Sequence, residues 1–139
     1  MASVIDGDTI EIRGQRIRLF GIDAPEGGQP CHWADGSQWR CGQQAALALQ
    51  DYIDRQLVAC VQRDTDRYGR LVCRCMVAGE DISSWLVASG WAVAYTRFSM
   101  EYVREARARV DRRGIWSGTF LAPWDWRRGQ RGEMPRELQ

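Results

Sequence analysis

Lysine is missing altogether: all 19 basic residues are arginine. Against 18 acidic residues they leave a net charge of only +1. That balance excludes a uniformly basic nucleic-acid binder but permits a local arginine cluster beside an acidic pocket. Arginine suits planar, bidentate phosphate contacts, although a high genomic G+C content would bias the composition in the same direction. Histidine occurs once, as His32 beside Cys31, and no two cysteines form a Cys-x-x-Cys pair. A zinc site built from Cys31, His32 and Cys41 would therefore have poor ligand spacing. No apolar run reaches the length of a membrane span, so no membrane partner is expected. No charged segment followed by an apolar one opens the chain, and Met1-Ala2-Ser3 leads almost directly into the first motif. A targeting segment is thus expected to have been removed or never to have been present. Internal repeats and low-complexity stretches are absent as well.

What is present describes one domain with a real core: 139 residues, 45% hydrophobic and 27% charged, a composition that excludes wholesale disorder. The five cysteines (Cys31, Cys41, Cys60, Cys73, Cys75) point to disulfides, hence to an oxidising compartment, with one thiol left over.

Short strands are expected at Ser3–Ile5, Ile10–Arg13 and Arg16–Ile22, joined by turns at Asp6-Gly7-Asp8-Thr9, with Gly7 available for positive φ, and at Gly14-Gln15. The loop 27–42 is long enough to need a function or a pin, and a Cys31–Cys41 bridge would pin it for about 2–3 kcal/mol. A helix over Gln43–Gln56 carries Ala46, Leu49, Ile53 and Leu57 at helical spacing. Strands Leu57–Gln62 and Arg70–Val77 flank a turn. Asp81 caps a helix over Ile82–Ser89, and Trp91–Tyr95 is extended. Ser99 caps a last helix, Met100–Arg113, with Val103, Ala106 and Val110 as its apolar stripe and Glu105 on the solvated face. Pro123 ends regular structure. Three strands, a helix, two strands and two helices suggest an α+β, mainly β fold: a five-stranded OB-type barrel with three helices over residues 1–126, followed by a polar, loose tail over 127–139.

The stretch Arg18-Leu19-Phe20-Gly21-Ile22-Asp23-Ala24-Pro25-Glu26 holds a cation, a metal-type carboxylate and a candidate base within nine residues. Pro25 stiffens the exit from the strand. In a regular strand Arg18 and Asp23 would face opposite sides about 16 Å apart. Both can serve one phosphate only if the chain kinks, and Gly21 is the natural place. Asp8, if it lies beside Asp23, completes a nest for a hard cation such as Ca²⁺. Asp66-Arg67-Tyr68-Gly69-Arg70 is a hairpin loop from which Arg70 could project toward the same ion.

Ile5-Asp6-Gly7-Asp8-Thr9, the Arg18–Glu26 stretch, Asp66-Arg67-Tyr68-Gly69-Arg70 and Gly114-Ile115-Trp116 together resemble the staphylococcal nuclease (thermonuclease) family, in its order. The resemblance implies a Ca²⁺-dependent phosphodiesterase acting on single-stranded or unpaired DNA and RNA, leaving a 3′-phosphate and a 5′-hydroxyl. It implies Asp8 and Asp23 as metal carboxylates and Ala24 as the residue lending a main-chain carbonyl. Arg18 and Arg70 become the phosphate-binding arginines and Glu26 the general base. Arg67, Tyr68 and Tyr95 fall near the terminal phosphate and base. Bacterial relatives with a cysteine-bearing loop imply pairs Cys31–Cys41 and Cys60–Cys75, with Cys73 spare, and a secreted or periplasmic monomer. The rival expectation is a catalytically silent OB-type module. Such modules usually lose an acid, the base or an arginine; this chain keeps Asp8, Arg18, Asp23, Glu26 and Arg70.

Overall fold

The computed structural model describes residues 1–94 and 99–129. Its first three strands, β1 (Ser3–Asp6), β2 (Thr9–Ile12) and β3 (Gln15–Leu19), form the expected antiparallel meander. Two-residue strands come next at β4 (Ile22–Asp23), β5 (Cys31–His32) and β6 (Gln38–Trp39), before helix α1 (Cys41–Ile53). The hairpin of β7 (Val58–Thr65) and β8 (Leu71–Val77) then returns to the meander, with β8 running parallel to β3. The sheet reads β1-β2-β3-β8-β7, with β9 (Glu80–Asp81) added beside β8. These are the five strands expected of the barrel; among the described residues the end strands β1 and β7 do not pair with each other, so the sheet is open. Helices α2 (Ile82–Ala88) and α3 (Ser99–Val110), with β10 (Val93–Ala94) between them, a 3-10 turn (Gly114–Ser117) and a short α4 (Pro123–Arg127) complete the described chain.

The sheet folds around Ile10, Ile17, Leu19, Ile22 and Val77, closed from one side by Leu49 and Ile53 of α1 and by Ile82 and Leu86 of α2. Asp81 caps α2 as its sequence position suggests, accepting from the Ser83 and Ser84 amides at 2.8 and 3.3 Å. A second, smaller core gathers Cys31, Cys41, Val93, Ile115 and Phe120, with Trp39, Trp116 and Trp124 against it. Through these contacts it docks the C-terminal segment onto the loop that leaves β4. Among the described residues no helix is long and apolar enough to cross a membrane.

Four local expectations need correction. α1 ends early, where Asp54 takes a φ of +51°, so Leu57 leaves the buried stripe and is exposed. Gly7 is not among the positive-φ glycines. A Cβ there would lie 2.9 and 3.0 Å from the Cβ atoms of Ala45 and Ala24, so the turn needs glycine for space. In α3 the Val103 and Val110 side chains are exposed, while Ala108 and Glu105 are buried. The Glu105 carboxylate accepts from the Ala94 amide at 2.6 Å. Satisfying that strand-end donor, and close approach at the small Ala108, set the buried face in place of the apolar stripe. Pro123 opens a helix instead of ending one, as its fixed φ and missing donor allow at the first helical position.

Both expected bridges form: Cys31–Cys41 with Cα atoms 5.5 Å apart, and Cys60–Cys75 as directly opposed residues of β7 and β8 at 4.1 Å. Cys73 is the free thiol; it is buried, and burial pushes its ionisation up, away from reactivity. Replacing Cys31 and Cys41 together by serine should cost about 2–3 kcal/mol, read by urea unfolding with and without reductant. The reduced wild type should coincide with the variant apart from the second bridge's contribution.

Candidate active site

The kink at Gly21 carries the site. β3 stops at Leu19, Gly21 turns with φ +83°, and β4 resumes at Ile22 against Val93 and Ala94. The turn brings Asp23 back beneath Arg18, whose Nη2 lies 3.2 Å from Asp23 Oδ1 and whose Nη1 lies 3.6 Å from Asp8 Oδ2. Asp8 leaves the β1–β2 turn with its carboxylate fixed from two sides: the Ala24 amide donates to Oδ2 at 3.0 Å and the Thr9 hydroxyl to Oδ1 at 3.0 Å. Both acids are buried, Asp23 completely. Burial raises the Asp23 carboxyl above its ordinary range; the hydrogen bond from Arg127 opposes this and the charge of Asp8 adds to it. Arg18 is held more firmly as a cation, since Asp8 and Asp23 outweigh the burial that would neutralise it.

Asp8, Arg18 and Glu26 line one cleft of about 440 Å³ together with Arg67, Tyr68 and Arg70 from the β7–β8 turn. Asp66 shapes that turn. Its carboxylate accepts from the Tyr68 and Arg70 amides, both at 2.9 Å, and from Arg70 Nε at 2.7 Å. Burial acts to raise the Asp66 carboxyl, but these bonds prevail and hold it below the usual range. Tyr68 stands exposed, with the guanidiniums of Arg67 and Arg70 lying 5.2 and 5.8 Å from its ring centre. A base could stack there. Tyr95 lies outside the described residues.

Three further residues belong to the site: Asp6 falls inside the Ile5–Thr9 motif but is not singled out by it, and Gln29 and Arg127 lie outside every motif. Asp6 lines the cleft; burial, then the charges of Asp8 and Glu26, push its carboxyl upward. Gln29, almost fully buried, joins two segments: its Oε1 accepts from the Glu26 amide at 3.2 Å and its Nε2 donates to the Leu121 carbonyl at 2.7 Å. Arg127, expected from sequence in the loose tail, is instead the last residue of α4 and reaches into the cleft. Its Nη2 lies 2.6 Å from Asp23 Oδ2, and its Nη1 lies 3.0 Å from both Asp23 Oδ1 and Glu26 Oε1. A tryptophan pair behind a helix-opening proline, Pro123-Trp124-Asp125-Trp126, is the available sign that this segment docks. Gln29 within the long loop carries no comparable mark.

Substituting Gln29 by leucine would strand the buried Leu121 carbonyl for about 1–3 kcal/mol, and the part-buried Glu26 amide for less. Lower stability by urea unfolding, together with lower activity from the untethered Glu26, is the expected outcome.

The donor set around Asp8 and Asp23 is all oxygen, with the Ala24 carbonyl adjacent in sequence, which suits a hard divalent cation over a soft one. Among the described residues no three acidic, histidine or cysteine side chains converge as a ready-made ion site. The space between Asp23 and Glu26 is taken by Arg127.

Comparison with known proteins places the chain in a family. The family model described as staphylococcal nuclease homologue matches residues 16–118. The succinoglycan biosynthesis protein ExoI of Rhizobium meliloti (strain 1021) is 41% identical over 83% of this chain. The micrococcal nuclease of Shigella flexneri is 32% identical over 92% of it, and an uncharacterized endonuclease of Escherichia coli O157:H7 is 33% identical over 89%. The chain spans 62%, 79% and 80% of the lengths of these three relatives, respectively. The chain belongs to the family of staphylococcal nuclease homologues, whose enzymes are metal-dependent nucleases.

Proposed function

We propose that this protein hydrolyses phosphodiester bonds of single-stranded or unpaired DNA and RNA by attack of water on phosphorus, leaving 3′-phosphate and 5′-hydroxyl ends. The observation that carries the reading is one cleft lined by Asp8, Arg18, Glu26, Tyr68 and Arg70, contributed by three separate stretches of chain.

Hydrolysis adds an oxygen nucleophile to an anionic phosphorus centre and expels an alkoxide, so negative charge accumulates on the phosphoryl oxygens and the leaving group. Arg18 of β3 and Arg70 just before β8, the neighbour of β3 in the sheet, both line the cleft and answer that charge; planar guanidiniums also fix the phosphate for in-line attack. Glu26 takes the proton of the attacking water, a contribution on the order of 10²–10⁴-fold. Asp8, Asp23 and the Ala24 carbonyl would hold Ca²⁺, which supplies Lewis-acid polarisation of a phosphoryl oxygen when bound. Tyr68 with Arg67 receives the nucleotide next to the scissile bond. The paired cysteines fit a secreted or periplasmic location.

A 5′-labelled single-stranded oligonucleotide incubated with Ca²⁺, or with chelator, tests the reading. Chelator-sensitive products whose new 5′ ends accept phosphate from a polynucleotide kinase without prior dephosphorylation are expected. Retention of the oligonucleotide without cleavage, with or without Ca²⁺, would instead identify a silent binding module.

A further inference from the structure

Arg127 makes a demand that the proposed chemistry does not use. Its guanidinium meets Asp23 as a two-pronged fork, 2.6 and 3.0 Å to the two carboxylate oxygens, and its Nη1 bridges on to Glu26 at 3.0 Å. Asp23 is completely buried and does not line the cleft; Arg127, a third exposed, does. The guanidinium thus stands between Asp23 and the solvent of the cleft. Any cation arriving from the cleft needs the same carboxylate oxygens, at about 2.3–2.6 Å for Ca²⁺. Asp23 already has a second cation at its side, Arg18, 3.2 Å away and also close to Asp8. Adding a divalent ion to a carboxylate that keeps both arginines would bring three like charges within a few ångströms in a poorly solvated place. One of them must leave. Arg18 is the more enclosed, its Nη2 also lying 3.4 Å from the Ile22 carbonyl at the strand turn. Arg127 sits on a five-residue helix at the cleft's rim.

The helix is not there by accident of packing. Phe120, Leu121 and Ala122 are buried ahead of it, Phe120 in the second core, and the Gln29 amide ties Leu121 to the loop that carries Glu26. The segment that delivers the guanidinium and the loop that presents the acids are therefore one assembly.

We propose that Arg127 is the resident counter-cation of the ion-free site: it holds Asp23 and Glu26 together until a divalent cation displaces it from Asp23. The proposal rests on the reading of Asp8 and Asp23 as ion ligands. Its consequence is opposite in sign to that of an ordinary supporting residue. Removing Arg127 removes a competitor, so the ion should bind more tightly, while the ion-free protein becomes less stable because Asp23 loses its fork.

Calorimetric titration of Ca²⁺ into wild type, Arg127→Met and Arg127→Lys, without substrate, tests this. Arg127→Met should bind Ca²⁺ about tenfold or more tightly, and Arg127→Lys, which keeps a competing charge, should stay near wild type. In thermal melts Arg127→Met should start lower than wild type and gain more from Ca²⁺. Equal or weaker binding by Arg127→Met would overturn the proposal and leave the ion ligands standing. Absence of Ca²⁺ binding by wild type would overturn the ion reading and the proposal together. Should Arg127→Met not fold, crystals of wild type with Ca²⁺ decide the matter. The distance from Arg127 to Asp23 should open beyond hydrogen-bonding range when the ion is bound, and an unchanged fork beside a bound ion would refute displacement.

Discussion

Glu26→Gln is expected to slow cleavage by a factor on the order of 10²–10⁴ with little change in stability. The substitution preserves shape and keeps an acceptor oxygen for Arg127 Nη1, now 3.0 Å from Glu26 Oε1. The backbone link from the Glu26 amide to Gln29 is untouched. Only the capacity to take a proton disappears. The measurement is single-turnover cleavage of a single-stranded oligonucleotide at saturating Ca²⁺, beside a thermal melt of each protein. A loss confined to the chemical step, with substrate affinity retained, marks the base. Activity within a few-fold of wild type would move that role to another cleft carboxylate, and Asp6, which feels the charges of both Asp8 and Glu26, would be the next to replace.

The contrast between what the residues disclose and what they conceal has a physical pattern. Groups carried by short, rigid, local motifs are legible: the kink at Gly21 comes from the mismatch between strand geometry and the need to bring Arg18 and Asp23 together. The hairpin loop at Asp66–Arg70 is read from its own residues, although its Asp66–Arg70 ion pair is not. The Asp81 cap is equally local. Contacts that depend on long-range docking are not legible. Gln29 meets Leu121, 92 residues away in the chain, and Arg127 meets Asp23 across 104; neither partner carries a sign of the other. The family match itself stops at residue 118, short of Arg127. Helix α3 misleads for a different reason. Hydrophobic periodicity favours Val103 and Val110, but a strand-end amide at Ala94 needs an acceptor, and Glu105 turns the helix to supply it. Space makes the same point: Gly7, read as a joint free to take positive φ, is instead pressed by the side chains of Ala45 and Ala24, and Gly42 by the Glu26 carbonyl.

Gly42→Ala tests that crowding severely, because it alters no charged or catalytic group. Helix propensity alone would favour alanine in the first turn of α1 by about 1 kcal/mol. Sterics oppose it far more strongly. A Cβ at position 42 would lie 1.5 Å from the Glu26 carbonyl oxygen and 2.5 Å from its carbon, where ordinary contact requires about 3.5 Å. Either α1 or the Glu26 segment must retreat. The helix is fixed at this end by the Cys31–Cys41 bridge and buried along Ala45, Leu49 and Ile53, whereas the 26–29 segment is held chiefly by hydrogen bonds through Gln29. The segment should therefore move, and Glu26 with it. Displacement of a base by about 1 Å can cost on the order of 10² in rate, and the overpacked junction should cost about 1–3 kcal/mol net of the gain in propensity. The expected result is a folded, less stable protein with kcat reduced about a hundredfold, read by urea unfolding and by single-turnover cleavage on the same preparation. If Gly42→Ala were as stable and as active as wild type, Glu26 could not be seated against the start of α1, and the geometry assigned to the base would have to be abandoned.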